Sequence, residues 1–170
     1  MSEAFARIKA AFDAFRKRVE TFEKSDNVTV DFQDACESAY EGLYKFKERI
    51  VRELEKPTAK CDLTKEEKKF CVDLFKDKFL INLLQLRTVA THIVSDIAIK
   101  EKSFPFFSSD GSPMELDCAA SVNALFSNNI FASKNAHYGV IHINHRHNLR
   151  DAVKRIASKI HKFEAEARRT

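Results

Sequence analysis

The chain of 170 residues carries 29 Lys+Arg against 25 Asp+Glu, with 44% hydrophobic and 32% charged residues, a length and balance that suit one domain around a single core. Only three Gly and three Pro occur, where average usage would give roughly twelve and eight or nine, which argues against a turn-rich sandwich or barrel and against a glycine-lined nucleotide site. The expected fold class is all-α.

The first fifteen residues are amphipathic and interrupted by Glu3, Arg7, Lys9 and Asp13, so no apolar signal region is expected there. Phe5, Ile8, Phe12, Phe15, Val19 and Phe22 follow one another at spacings of 3, 4, 3, 4 and 3, which sets six side chains on one stripe of a first helix. Ser25-Asp26-Asn27 ends it, and Thr29 or Asp31 is placed to cap a second helix from about Asp31 to about Lys56. That helix has its own stripe in Phe32, Cys36, Ala39, Leu43, Phe46, Ile50 and Leu54, and stops at Pro57. Thr64 with Glu67 three residues on forms a capping box and starts a third helix. Its stripe of Val72, Phe75, Phe79, Leu83, Leu86, Ala90, Ile93 and Ile97 is long for one domain, so the helix is a candidate for division in two. The same stretch is the most apolar of the chain, but Asn82, Gln85, Arg87, His92 and Asp96 interrupt it, and no membrane span is expected.

Phe104, Phe106 and Phe107 fall in a loop, either tucked under the bundle or left as a contact surface. Ser112-Pro113-Met114-Glu115 has the pattern of a helix start, predicting a short fourth helix to about Ser127. Helical periodicity then disappears, and residues 138–143 have the β-branched character of a short strand or extended segment. Leu149, Val153, Ile156, Ile160, Phe163 and Ala167 make the stripe of a fifth helix behind an Asn148 cap. The recurring 3,4 spacing predicts an antiparallel bundle of about five helices, one domain over 1–170 with a basic, His-rich segment at 137–170. Cys36, Cys61, Cys71 and Cys118 show no Cys-x-x-Cys spacing and read as reduced thiols of a soluble, cytoplasmic protein.

Residues 141–170 hold eight Lys+Arg and three acids, whereas the preceding 140 hold 21 and 22, so the whole cationic surplus lies at the carboxy-terminal end. Arg155, Lys159 and Lys162 project opposite the last helix's apolar stripe, with Arg150, Lys154 and His161 along one flank and Arg146 just upstream. Such an array neutralises phosphates or acidic side chains; the competing reading is a solvated helix face whose last turn opposes the macrodipole. His142-x-x-His145-x-His147, with His137 upstream, is the densest set of possible metal ligands, and in an extended segment His145 and His147 point the same way. No carboxylate or thiolate lies at a ligand spacing and Arg146 opposes a cation, so neither metal nor cofactor is expected.

Thr88, His92 and Asp96 recur at four-residue intervals, which lets Asp96 orient His92 as a general base, although ordinary hydrogen bonds explain the same face. Arg87-x-x-x-x-His92 is similar to the Arg-x(4–6)-His element of the helical HEPN family, many of whose members cut RNA, and Lys134-Asn135-Ala136-His137-Tyr138-Gly139 resembles that family's Asn…Ala-His-Gly portion. The likeness stops at these residues: in that family a polar residue, often Asn, usually follows the arginine and the motif usually lies near the carboxy-terminal helices, whereas here Thr88 follows Arg87 in mid-helix, and no arginine stands four to six residues before His137. It implies a metal-independent ribonuclease as one alternative. The expectation carried forward is non-enzymatic: a helical binding or adaptor protein, with no catalytic residue, whose Arg146, Arg150, Lys154, Arg155, Lys159 and Lys162 meet nucleic acid or an acidic protein surface. A second alternative is protein–protein recognition or regulation through the aromatic loop, and a homo-oligomer is compatible with either.

Overall fold

The computed structural model describes residues 1–25, 30–57, 60–90, 105–107, 113–115, 132–135 and 140–169. The protein is an all-α helical bundle: α1 (Glu3–Lys24), α2 (Val30–Leu54), α3 (Lys65–Leu74), α4 (Lys78–Ala90) and α5 (His145–Ala167), with two antiparallel two-stranded pairs, β1 (Pro105–Phe107) with β2 (Pro113–Glu115) and β3 (Ala132–Asn135) with β4 (Val140–Ile143).

α1 starts where the Ser2 hydroxyl accepts from the Phe5 amide at 3.0 Å, the capping that orphan helix donors require. Its six-residue stripe is wholly buried. α2 runs antiparallel to it: Arg7 meets Glu53, Phe12 packs on Phe46 at 5.7 Å, and Arg18 donates to the Ser38 carbonyl at 3.2 Å. Gly42 sets how closely the two can pack. A Cβ there would stand 3.2 Å from Phe15 Cα and 2.8 Å from Arg18 Cδ; the side chain of Arg18 can move, but the backbone of Phe15 cannot without separating the helices.

The Thr64–Glu67 capping box forms as the sequence implies, at 3.2 and 2.9 Å, and the buried Glu67 also accepts from the Ser2 amide at 2.8 Å. One carboxylate thus serves the beginnings of α1 and α3. The apolar run that follows is divided at Phe75–Asp77, where the Asp77 carboxylate accepts from the Phe79 amide at 3.0 Å and starts α4. The break resets the helical phase, so Cys71, Leu74, Phe79, Leu80 and Leu83 are buried, while Val72, expected on the buried stripe, is 49% exposed. α5 lies antiparallel to α1, with Phe163 stacked on Phe70 at 4.8 Å and packed on Phe5 at 5.2 Å.

Three local expectations are corrected. α5 is capped by Asn144, whose side chain accepts from the His147 amide at 3.0 Å, while Asn148 is buried inside the helix; the cap lies one turn earlier because Asn144 follows directly on β4. His145 and His147 are consequently helical, and two residues apart on a helix they diverge. Pro113–Glu115, expected as a helical first turn, is β2: pairing with β1 overrides the local capping pattern, and a proline is tolerated at a strand's first residue. β4 falls within the segment expected to be extended, whereas 116–131, where most of the fourth helix was expected, lies outside the described residues.

Gly42→Ala tests the α1–α2 approach. Alanine ordinarily gains about 1 kcal/mol over glycine in a helix; here we expect a net loss of about 1 kcal/mol in urea unfolding, because overpacking costs about 1–3 kcal/mol. Glu53, 1% exposed, receives Arg7 at 3.0 and 3.2 Å and Lys56 at 2.5 Å. The Arg7 hydrogen bond outweighs the upward push of burial and, with Lys56, lowers its carboxyl from 4.5 to about 2. A depressed folded-state value means stability present above pH 4.5 and lost as pH falls towards 2, on the order of 3 kcal/mol. Unfolding measured across that window should show this loss, and Glu53→Gln should be less stable at pH 7 with a shallower acid limb.

Candidate functional site

α5 buries Leu149, Ala152, Ile156 and Ile160, which fixes where each of its cations points. The six basic residues expected to form one outward array are divided by the fold. Arg146, in the first turn, lies 5.5 Å over the Phe22 ring and donates to the Ser25 carbonyl. Arg150 pairs with Glu23 of α1. Arg155 sits 4.4 Å over the Phe79 ring, 2.7 Å from Asp151 and 3.9 Å from Asp77, and Lys159 reaches Asp77 at 2.9 Å. Burial alone would push the Asp77 carboxyl up; the Lys159 hydrogen bond, the Lys159 charge, the Phe79 amide and Arg155 together hold it below its usual range. Lys162 is 80% exposed, with Glu166 at 4.0 Å. Lys154 is exposed and makes no ion pair with a described residue.

The expectation of a single free patch is therefore corrected. Arg146, Arg155 and Lys159 flank the buried stripe, where carboxylates, carbonyls and rings of the neighbouring helices reach them. What faces outward is a different row: Arg150, Lys154, His161 and Arg168, all exposed, recur at four, seven and seven residues along one line of the helix. The row extends about 27 Å at 1.5 Å per residue. Lys162 and Arg169 lie to one side of it and are also exposed.

At the far end of α5 a groove of about 720 Å³ opens against α3. Phe70, Leu74 and Phe163 form its floor, and Lys159 and Lys162 share its rim with Glu66, Asp73 and Glu166. A rim of both signs over an apolar floor gives no preference for phosphate.

Sequence reasoning missed a pairing beneath the first turn of α5. The buried Tyr40 hydroxyl is 2.7 Å from His145 Nδ1. Burial and the adjacent Cys36 raise the phenol well above its ordinary value, so it remains protonated and shares one hydrogen bond with the His145 ring nitrogen. Burial likewise pushes Cys36 and Cys71 up to about 12, which makes them packing residues and not nucleophiles. Among the described residues no three His, Cys, Asp or Glu side chains gather closely enough to hold a metal ion, and no helix is long and apolar enough to cross a membrane. His92, Asp96, Phe104 and His137 lie outside the described residues, as do the side-chain surroundings of Arg87, Thr88, Phe106 and Phe107.

The fold and the face of α5 define the class as an all-α helical bundle with a cationic last helix. No protein-family model matches the chain, and comparison with curated proteins and with solved structures gives no match.

The division of the cations has a direct test. Asp77→Asn leaves Arg155 and Lys159 without their shared carboxylate and should cost about 1–2 kcal/mol of unfolding free energy, whereas Lys154→Gln, on the open row, should change stability by less than about 0.5 kcal/mol. Equal effects in thermal unfolding would contradict the assignment.

Proposed function

We propose that the protein is a non-enzymatic binding or adaptor protein whose last helix meets an acidic partner, nucleic acid before an acidic protein surface. The observation that carries this reading is the row Arg150, Lys154, His161 and Arg168, exposed along one line of α5, in which Arg150 at the near end is the member paired with a carboxylate, Glu23 of α1. A straight row of three basic residues and an imidazole, about 27 Å long, suits a chain of regularly spaced phosphates, which positions a protein electrostatically without reading sequence. Of the six basic residues expected from the sequence, Lys154 and Lys162 keep this role, joined by His161, Arg168 and Arg169, while Arg150 faces outward and also pairs with Glu23. Arg146, Arg155 and Lys159 instead hold the helix in place.

Anisotropy of a short labelled single-stranded oligonucleotide tests the reading. Affinity should fall steeply with salt, and Lys154→Gln/Arg168→Gln should weaken it at least tenfold and flatten the salt slope by about 1–2, close to 0.7 for each single-strand phosphate that is no longer neutralised. Undiminished affinity in that variant would remove α5 as the binding face. Capture of a protein partner with no salt dependence would favour protein–protein recognition instead.

A further inference from the structure

On the face of the α1–α2 pair turned away from α5 lies a second concentration of cations. A groove of about 270 Å³ follows the crossing of the two helices. Ala11, Ala14, Phe15 and Gly42 form its floor, which is low because three of the four have little or no side chain. Its walls are Arg18 from α1 and Lys45, Arg49 and Arg52 from α2, with Glu48 as the one carboxylate among the lining residues. We infer that this groove is an anion site for a small phosphate-bearing molecule of the diphosphate class.

Among the described residues, three of the four wall residues make only long ion pairs, unlike the Arg7–Glu53 pair on the neighbouring turn. Arg7 holds Glu53 at 3.0 and 3.2 Å, within hydrogen-bond reach. Lys45 stands 3.8 Å from Glu41, Arg49 3.8 Å from Glu53 and Arg52 3.7 Å from Glu48, all beyond it. Glu53 is already engaged by Arg7 and Lys56, which leaves Arg49 as the surplus cation of that network, its planar donors available to a ligand. Arg18 is steadied from below by the Ser38 carbonyl and hydroxyl, at 3.2 and 3.4 Å. Guanidinium groups bordering one hollow offer planar donors that match phosphate oxygens. The volume lies just under the roughly 300–1,000 Å³ of ordinary small-molecule pockets, with room for a phosphate group and a small substituent. Phe5, Lys9 and Glu23, which meet α5, occupy another face of α1, so this site is separate from the α5 row and does not depend on its function.

The test is titration of the isotopically labelled full chain with inorganic diphosphate at low ionic strength, followed by amide shifts and calorimetry. Saturable binding is expected, with shifts centred on residues 11–18 and 42–52. Arg49→Gln/Arg52→Gln should weaken it at least tenfold, while Lys154→Gln/Arg168→Gln leaves it unchanged. Because Arg49 adjoins the Glu53 network, Lys45→Gln/Arg52→Gln, both positions more than half exposed, is measured alongside, with a melting curve to confirm the fold, and should weaken binding in the same direction. Absence of saturation, shifts confined to α5, or full affinity in both groove variants would overturn the site. Displacement of diphosphate from these residues by an oligonucleotide would overturn the small-ligand assignment.

Discussion

Between Phe15 and Gly42, α1 and α2 approach so closely that one added carbon would meet backbone, and the rest of the bundle is positioned by that approach. Two helices in such proximity present a continuous ridge of large buried side chains, Phe5 to Phe22 on one and Tyr40 to Ile50 on the other. α5 is laid on the ridge by Leu149, Ala152, Ile156 and Ile160, and α3 is brought in by rings: Phe5, Phe70 and Phe163 each come from a different helix and all touch. Aromatic packing of this size dominates core energetics, while Glu67, shared between the starts of α1 and α3, sets the register at that end.

Polar groups then determine where α5 settles. Asp77 does two things at once: its Oδ1 accepts from the Phe79 amide and its Oδ2 from Lys159. The residue that interrupts the long apolar run is thus also the carboxylate on which α5 docks. At the other end, Arg150 reaches Glu23 and Arg146 covers Phe22. The cations of α5 act largely as clamps on an already apolar seat, and their partly exposed pairs contribute more to orientation than to net stability.

The stripes of α1, α2 and α5 were legible in the sequence because their cause is local: an apolar residue every three or four positions leaves a helix one way to bury them. The capping box at Thr64 and Glu67 was legible for the same reason. Asn144 and Asn148 were confused because both are good caps one turn apart, and only the position of β4 chooses between them. The division of the long third run follows from its length, but its place at Asp77 is hidden because the apolar spacing continues through it. The site was less legible still. A helical wheel gives the direction of Arg155 or Lys159 but not the presence of Asp77 beside them, so an outward array and a row of internal clamps look alike. Lys45, Arg49 and Arg52 follow one another at four and three residues, and Arg18 joins them only through the fold.

Charge summed along the chain and charge gathered in space are therefore different quantities here. The first 140 residues are nearly neutral and still hold a hollow walled by four cations, whereas the terminal surplus is partly neutralised where it stands. In an antiparallel bundle a cation has two ways to meet a carboxylate: along its own helix at three or four residues, or across to a neighbour. Those flanking the buried stripe, such as Arg155 with Asp151 and Asp77, use both. Those on the outermost line beyond Arg150, which still reaches Glu23 of α1, have only the first, and on α5 the positions three and four residues from Lys154 are Asp151, already taken by Arg155, together with Arg150, Ala157 and Ser158. Lys154 is left open by that geometry. The same reasoning applies to Arg49, whose carboxylate is already held by Arg7 from the facing helix. The cations available to a partner are those whose near carboxylates are already engaged, on whichever helix they fall.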